Sequence, residues 1–200
     1  MKSSIISLIS FYLAFGLFHY LSIDAPLVYS QDGEWTKIAI EAGALKRPEN
    51  RCFQGMAYDS RRGVVVLHGG GNSSFTVLRD TWEYDGTAWK RVNNIGPVRY
   101  AHSMAYDANR GVTVLFGGRN TGSGDPLSET WEWDGQAWRE LDVPLKPKSV
   151  IFGDMVFDEN RGKIVYFGGM PWFMVDLSSD TWEYSSSTSH VEQWRQHDPR

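Results

Sequence analysis

Three glutamates recur at equivalent places in the chain and are the first candidates for acid–base chemistry. Each stands in a motif of an acidic residue, Thr, Trp, Glu and an aromatic residue: Glu83, Glu132 and Glu183. Glycoside hydrolysis needs two carboxylates that converge on one bond, which three equivalent copies of a motif do not provide. Because an unpaired buried carboxylate is costly, each glutamate is expected to accept hydrogen bonds from the backbone or from recurrent arginines, namely Arg62, Arg110 and Arg161. The motif favours a structural role.

Metal and redox chemistry have few candidate residues in this sequence. Cys52 is the single cysteine, which excludes an internal disulfide and a zinc site built on paired cysteines. The clearest histidine motif is Arg99-x-x-His102, and three further histidines are not at ligand spacing from it: His68, His190 and His197. A lone histidine is more often structural than a ligand. We expect no catalytic residues, no metal and no cofactor in this chain.

Candidate binding residues are more numerous than candidate catalytic ones. They lie in three segments that each follow a glycine pair, at residues 71–79, 119–128 and 170–179. The first two are largely polar, whereas the third is strongly apolar, and an exposed apolar cluster of that size marks a contact surface. An equally good interpretation is that the third segment folds over the sheet from which it emerges or over a neighbouring sheet. The candidate ligand- or partner-binding residues are Trp172, Phe173, Met174, Arg119, Asn120, Asn72 and Phe75.

A repeat of about fifty residues must position these segments. The sequence MAYD at 56–59 recurs at 104–107 and, as MVFD, at 155–158. Each copy is followed by Arg-Gly, an apolar run, a glycine pair, the Thr-Trp-Glu motif and a closing tryptophan, which is Trp89, Trp138 or Trp194. The Asp-x-x-Arg-Gly segment is typical of a hairpin turn, and the alternation in Thr-Trp-Glu-Tyr is typical of a strand.

Four short strands per repeat predict an all-β protein built as a β-propeller. The blades are expected at residues 47–95, 96–145 and 146–196, with an isolated outer strand of a preceding blade at 31–46. The aromatic residues that recur in every blade are expected to fill the wedges between sheets rather than to form a sugar-stacking platform. The predicted architecture is therefore three four-stranded blades plus one extra N-terminal strand, an incomplete ring.

The same residues carry a family resemblance. Arg99-x-x-His102, Tyr106-Asp107 and Gly117-Gly118, followed by Trp on the third and fourth strands, resemble the kelch repeat, and in particular the bacterial variety allied to the galactose-oxidase propeller. The resemblance covers residues 32–196 and implies a fold rather than an activity. Gln54 and Gly153 replace the histidine, and a serine-rich segment at 185–189 replaces the Asp-Gly turn. The copper site of galactose oxidase needs Tyr, His and a Cys-linked Tyr, for which this chain offers one thiol and no assignable ligand set.

The first thirty residues have the order of a secretory signal, with Lys2, an apolar run at 5–21 and a short polar stretch that ends at Ser30. The run is shorter than the roughly 20 residues of a comfortable membrane span. We expect cleavage after Ser30, with an uncleaved N-terminal anchor as the alternative. Either outcome predicts an exported protein that is extracellular, periplasmic or at the cell surface, with membrane contact only if the segment is uncleaved.

The composition limits the class of partner. With 42% apolar and 14% aromatic residues the chain is suited to fold, and with 20 Lys and Arg against 24 Asp and Glu its net charge is −4. That charge argues against a nucleic-acid partner held by phosphate contacts. A protein or glycan ligand is the expectation. The predicted function is an exported kelch-type β-propeller segment that acts as a non-catalytic binding or scaffolding module. The alternative is the propeller portion of an extracellular carbohydrate-active or copper oxidase-type enzyme whose catalytic residues lie outside this chain.

Three blades do not close a ring, because propellers use about 4–8. Three explanations remain open: the chain is a fragment or a shortened gene product, it assembles with other copies, or divergent strands contribute further. Open blade edges would make self-association possible, since unpaired edges invite pairing.

Overall fold

The computed structural model describes residues 47–120, 124–148, 150–171, 177–186 and 192–197. These residues form twelve strands in three antiparallel sheets of four, and none of them is helical. The described part of the chain accordingly holds no helix long and apolar enough to cross a membrane. The predicted signal segment at 1–30 and the predicted strand at 31–46 lie outside the described residues, as do Trp172, Phe173 and Met174.

Each sheet follows the chain in order, strand beside strand. Blade 1 comprises β1 (Gly55–Asp59), β2 (Val64–His68), β3 (Thr81–Tyr84) and β4 (Trp89–Asn93). Blade 2 comprises β5 (Ser103–Asp107), β6 (Val112–Phe116), β7 (Thr130–Trp133) and β8 (Trp138–Leu141). Blade 3 comprises β9 (Asp154–Asp158), β10 (Lys163–Phe167), β11 (Thr181–Ser186) and β12 (Glu192–His197). The predicted all-β architecture of three four-stranded blades is confirmed.

The first strands of the three blades lie next to one another, on the inner side of the row of sheets. Strand β5 contacts both β1 and β9, so the sheets fan out from the line of these first strands as in a propeller. The described residues do not close a ring: β1 and β9 stand at the two ends of the row. A cleft of about 270 Å³ opens between the three strands and is lined by mainly apolar side chains, among them Ala57, Tyr106, Met155 and Phe157.

Each blade has a forward face, which looks toward the next blade in the chain, and a backward face, which looks toward the preceding one. The alternation of side chains along a strand assigns residues to the faces. Thr130 and Glu132 of β7 lie on the forward face of blade 2, where they accept hydrogen bonds from Trp194 Nε1 at 3.0 Å and Tyr184 Oη at 3.2 Å in blade 3. The backward face of blade 3 thus places aromatic rings against the polar groups of blade 2.

The same pattern joins blades 1 and 2. Trp138 Nε1 donates to Thr81 Oγ1 at 2.8 Å, and Trp133 Nε1 donates to Glu83 Oε1 at 3.3 Å. Between these polar contacts the core consists of the strand residues that face each other, such as Val66, Leu115 and Trp133. A fully buried tryptophan contributes roughly 5 kcal/mol gross at about 25 cal/mol per Å² of apolar surface. The recurring aromatic residues of the third and fourth strands in blades 2 and 3 are therefore core or packed against it, as the sequence predicts, whereas Trp89 of blade 1 is partly buried.

Candidate functional site

The two ends of the blades differ in construction. The turn end carries the tight turns after the first strand of each blade and after the third strands of blades 1 and 2, at residues such as 59–63 and 85–88. The loop end carries the described residues of the connections between second and third strands, at 69–80, 117–120, 124–129, 168–171 and 177–180, together with the described residues that precede each first strand. Antiparallel pairing brings all the long connections to the loop end.

The turn end is organised by a repeated network of Asp, Arg and Glu. In blade 2, Asp107 Oδ1 accepts backbone N–H groups of Asn109 and Arg110 at 3.0 and 3.1 Å, and its Oδ2 accepts from Arg110 Nε at 2.7 Å. Arg110 Nη1 then donates to Glu132, which also accepts from Arg139. The same Asp–Arg–Glu connection joins residues 59, 62 and 83 in blade 1 and residues 158, 161 and 183 in blade 3.

This network confirms the predicted pairing of the recurrent glutamates with Arg62, Arg110 and Arg161. Burial raises the pKa of Glu183, but hydrogen bonds from Lys163, His197 and Arg161 outweigh it and bring the pKa to about 2. Burial likewise opposes the hydrogen bonds from Arg62 that lower the pKa of Asp59 below its usual value. Carboxylates held ionised in this way stabilise their turns and are poor proton donors at neutral pH.

Two histidines are buried near the loop end, where β2 ends and β5 begins. His68 Nε2 lies 2.8 Å from the carbonyl oxygen of Pro97, which can only accept, so Nε2 carries the proton. Thr81 Oγ1, 3.0 Å away, therefore donates to Nδ1 of a neutral ring. His102 packs edge-on against His68, with ring centroids 5.8 Å apart. Desolvation lowers the pKa of His68 to about 4 and holds the pKa of His102 well below its usual value.

The hydrogen bonds of His68 place its imidazole as a structural group. The two nitrogens of His68 are engaged with Pro97 and Thr81, which leaves no lone pair directed at a ligand. No group of three or more His, Cys, Asp or Glu side chains suited to a metal ion occurs among the described residues. Cys52 is exposed, and its thiol lies 3.7 Å from the carbonyl oxygen of Gly71.

The predicted binding residues of the first long connection lie on a small ordered hairpin. Asn72 Oδ1 accepts the backbone N–H groups of Ser74 and Thr76, both at 3.0 Å, and so fixes the turn. Phe75 stands at the tip with its side chain 95% exposed and its backbone in the left-handed region at φ 59°. Asn72 therefore shapes the hairpin, and Phe75 is the side chain that the hairpin presents to solvent.

The predicted residues of the second connection do not share one environment. Asn120 is exposed at the loop end, whereas Arg119 is buried, with its backbone paired to Tyr100 by two hydrogen bonds of 2.9 Å. The side chain of Arg119 is therefore not part of the accessible surface, although its neighbour is. The position of Arg119 directly after a glycine pair gave no indication of this burial.

The structure adds a feature that the sequence analysis missed, an exposed aromatic pair at the loop end. Phe53 and Phe152 precede β1 and β9, and their rings meet edge to face with centroids 5.5 Å apart. Tyr100 lies 6.4 Å from Phe53, so three aromatic rings cluster near the centre of the blades. Both phenylalanines are exposed. We call Phe53 and Phe152 the aromatic pair.

The backbone of the aromatic pair is held in an uncommon conformation. Phe53, Ala101 and Phe152 occupy equivalent positions and have φ values of 58°, 55° and 59°. A left-handed conformation costs a non-glycine residue about 1–2 kcal/mol. The reason lies in a hydrogen-bonded chain from blade to blade, because Ala101 N donates to Phe53 O at 2.8 Å and Phe152 N donates to Ala101 O at 3.1 Å. The sequence signal for this site is a phenylalanine at the same position of two repeats, two residues before the first strand.

Exposed large apolar side chains are concentrated at the loop end. Among the described residues, those outside the strands all lie there: Phe53, Phe75, Ile95, Leu145, Phe152 and Leu177. The others lie on strands of blades 1 and 3, and none lies in the turns of the turn end. Apolar surface exposed in this way is typical of contact sites.

The chain matches no known protein-family model, and a search of curated proteins finds no match either.

Proposed function

We propose that this chain is a propeller-type binding module that recognises a protein partner with its loop end. The observation that supports the proposal is the aromatic pair. Phe53 and Phe152 have large exposed rings at positions where the backbone is left-handed. The equivalent Ala101 takes part in the same chain of backbone hydrogen bonds although its side chain is only a methyl group. Because the backbone conformation does not need those rings, their exposure is best explained by recognition.

A protein partner fits this surface better than a glycan. Two phenylalanines that meet edge to face form a ridge with a cleft, suited to an apolar side chain, rather than a flat platform for a sugar ring. Phe75 supplies a further exposed aromatic side chain on its ordered hairpin. Aromatic side chains of this kind dominate the energetics of protein interfaces.

We further propose that the blades are of the kelch type and that the module works outside the cytoplasm. The kelch assignment rests on the recurrent MAYD, glycine-pair and Thr-Trp-Glu motifs. The export assignment rests on Lys2 and the apolar run at 5–21, which have the order of a signal segment. Sequencing the N-terminus of the secreted protein tests export, and a product that still begins at Met1 would contradict cleavage.

The binding proposal is tested with the double variant Phe53→Ala, Phe152→Ala. Ala101 shows that the left-handed position accepts alanine, so the variant should fold with an unchanged melting temperature. Peptides selected from a displayed random library against the wild-type protein serve as probes, alongside a glycan array. We expect the selected peptides to bind the double variant at least tenfold more weakly.

The matched control is Gln136→Ala, an exposed residue of a turn at the turn end. Peptide affinity should be the same for this variant as for wild type. Peptide binding that survives loss of the aromatic pair would overturn the proposed site. Binding of glycans alone, with no peptide selected, would replace the protein partner by a carbohydrate.

A further inference from the structure

The forward face of blade 3 is open and resembles the buried forward face of blade 2. Phe167 of β10 is 57% exposed, whereas Phe116 at the equivalent position of β6 is 1% exposed because blade 3 covers it. Val156 is likewise exposed where the equivalent Ala105 is buried. In the buried interface, Phe116 contacts the Trp194 ring at a centroid distance of 5.0 Å. The open face presents the same kind of surface without a covering blade among the described residues.

Among the described residues, nothing covers the backward face of blade 1 either. Tyr58 is 59% exposed, whereas the equivalent Tyr106 in blade 2 is 7% exposed against blade 1. Met56 is exposed, and its equivalents Met104 and Met155 are both buried. Residues of the same type at the same register position are thus buried in the internal interfaces and exposed at the end of the row.

The polar groups of the two open faces are complementary as well. Inside the chain, the fourth-strand tryptophans of blades 2 and 3 each donate to the first threonine of the third strand in the preceding blade, as Trp194 does to Thr130. At the open faces the corresponding donor is Trp89 of blade 1 and the corresponding acceptor is Thr181 of blade 3. The Tyr184–Glu132 contact has its counterparts in Tyr84 and Glu183. Each open face therefore carries the half of the interface that the other lacks.

We propose that two copies of this chain associate head to tail and form a six-bladed ring. The forward face of blade 3 in each copy packs against the backward face of blade 1 in the other, so that Phe167 lies on Trp89 of the second copy as Phe116 lies on Trp194 within one chain. Head-to-tail contacts of this kind form a closed ring when the rotation that relates the copies adds up to a full turn. Six is the multiple of three described blades that falls within the range of about 4–8 used by propellers.

The proposal is tested by the mass of the full 200-residue protein in solution, measured by light scattering and sedimentation. We expect twice the mass of one chain, which is 22.7 kDa. Phe167→Glu and Tyr58→Glu each place a charge on one open face and should each weaken association at least a hundredfold, with unchanged circular dichroism. The matched control is Ile95→Glu, an equally exposed apolar residue at the loop end, which should leave the dimer intact.

Mixing the two variants distinguishes a head-to-tail contact from a symmetrical one. A Phe167→Glu chain retains its backward face and a Tyr58→Glu chain retains its forward face, so the mixture has one undamaged interface. We expect the mixture to recover dimers at concentrations where either variant alone is monomeric.

Three results would overturn the proposal. A wild-type monomer would exclude association of two copies through these faces. A dimer unaffected by either substitution would place the contact elsewhere. A mixture that fails to associate would exclude the head-to-tail arrangement. Neither open face includes the aromatic pair, so these results are independent of the binding proposal.

Discussion

The turn end and the loop end of the blades are built from the same repeat but use it differently. At the turn end the side chains recur, and Arg62, Arg110 and Arg161 each connect an aspartate of the turn to a glutamate of the third strand. At the loop end the backbone hydrogen bonds recur while the side chains change, from Phe53 to Ala101 to Phe152. Recurrent side chains stabilise the sheets, and variable ones on a fixed backbone are available for recognition.

Left-handed residues show the same contrast. At the turn end the position is filled by glycine, for example Gly63 and Gly111, at no steric cost. At the loop end aromatic residues fill three of the left-handed positions outside the glycine pairs, Phe53, Phe75 and Phe152. Strain is thus absent from the turns that repeat and present in the surface that we propose to bind.

Acid should weaken the loop end before the turn end, and this is the largest expected effect. The folded pKa of His68, about 4, lies below the ordinary value of 6.5, so its contribution is complete above pH 6.5 and is lost as the pH falls toward 4. For His68 the loss between pH 7 and pH 5 is about 2 kcal/mol, and the lowered pKa of His102 changes the stability in the same direction. Glu183, with a pKa of about 2, loses its contribution only between about pH 4.5 and pH 2.

Urea unfolding at pH 7 and pH 5 measures this difference. The free energy of unfolding should fall by about 2 kcal/mol in His102→Gln, which retains only His68 of this pair, and by more than that in wild type. Gln54 occupies the position equivalent to His102 in blade 1, so glutamine is a residue that the repeat already uses. Equal stability at the two pH values would show that the imidazoles are not held neutral.

Removing one charge from the turn end should have the next largest effect. In Glu132→Gln the Arg110 guanidinium loses a buried ionic partner but keeps Asp107, and Tyr184 keeps a carbonyl acceptor. Breaking a buried pair costs about 3 kcal/mol at the lower end of the usual range. We expect thermal unfolding roughly 10 °C lower than that of wild type.

The exposed Glu140, one strand away, provides the control for this experiment. Glu140→Gln should leave the melting temperature within about 2 °C of wild type, as for most surface substitutions. If Glu132→Gln melted like wild type and lost ligand binding instead, the recurrent glutamates would be functional groups and the interpretation of the turn end would be reversed.

The smallest expected effect is a change in stability when the residue at a left-handed position is replaced, at the turn end or at the loop end. No atom lies within 4 Å of the position that a Cβ at Gly63 would occupy, so Gly63→Ala isolates the conformational cost, about 1 kcal/mol. Phe75→Gly relieves the same cost at an exposed position and should raise the free energy of unfolding by up to about 1 kcal/mol. Chemical denaturation of both variants checks the signs. A destabilised Phe75→Gly protein would mean that the ring contributes to folding.

Much of the fold could be predicted from the sequence because the evidence is periodic. The alternation in Thr-Trp-Glu-Tyr identified a third strand, and the cost of a buried charge predicted the pairing of Glu132 with Arg110. The candidate site was harder to predict. The segments after the glycine pairs contributed both Phe75, which is exposed, and Arg119, which is buried. Polarity and position in a loop do not determine burial. The aromatic pair was missed because its members lie 99 residues apart in the sequence.

The sequence by itself determined the strands, the turns and the residues that fill the sheets, since each of these depends on neighbours a few positions away or on a repeat of fixed length. Only the tertiary structure decided which equivalent residues are covered and which are exposed. Tyr58 and Tyr106, or Phe116 and Phe167, are alike in local sequence and differ because one blade lies against another. Burial depends on contacts between distant segments, and a local pattern cannot specify them.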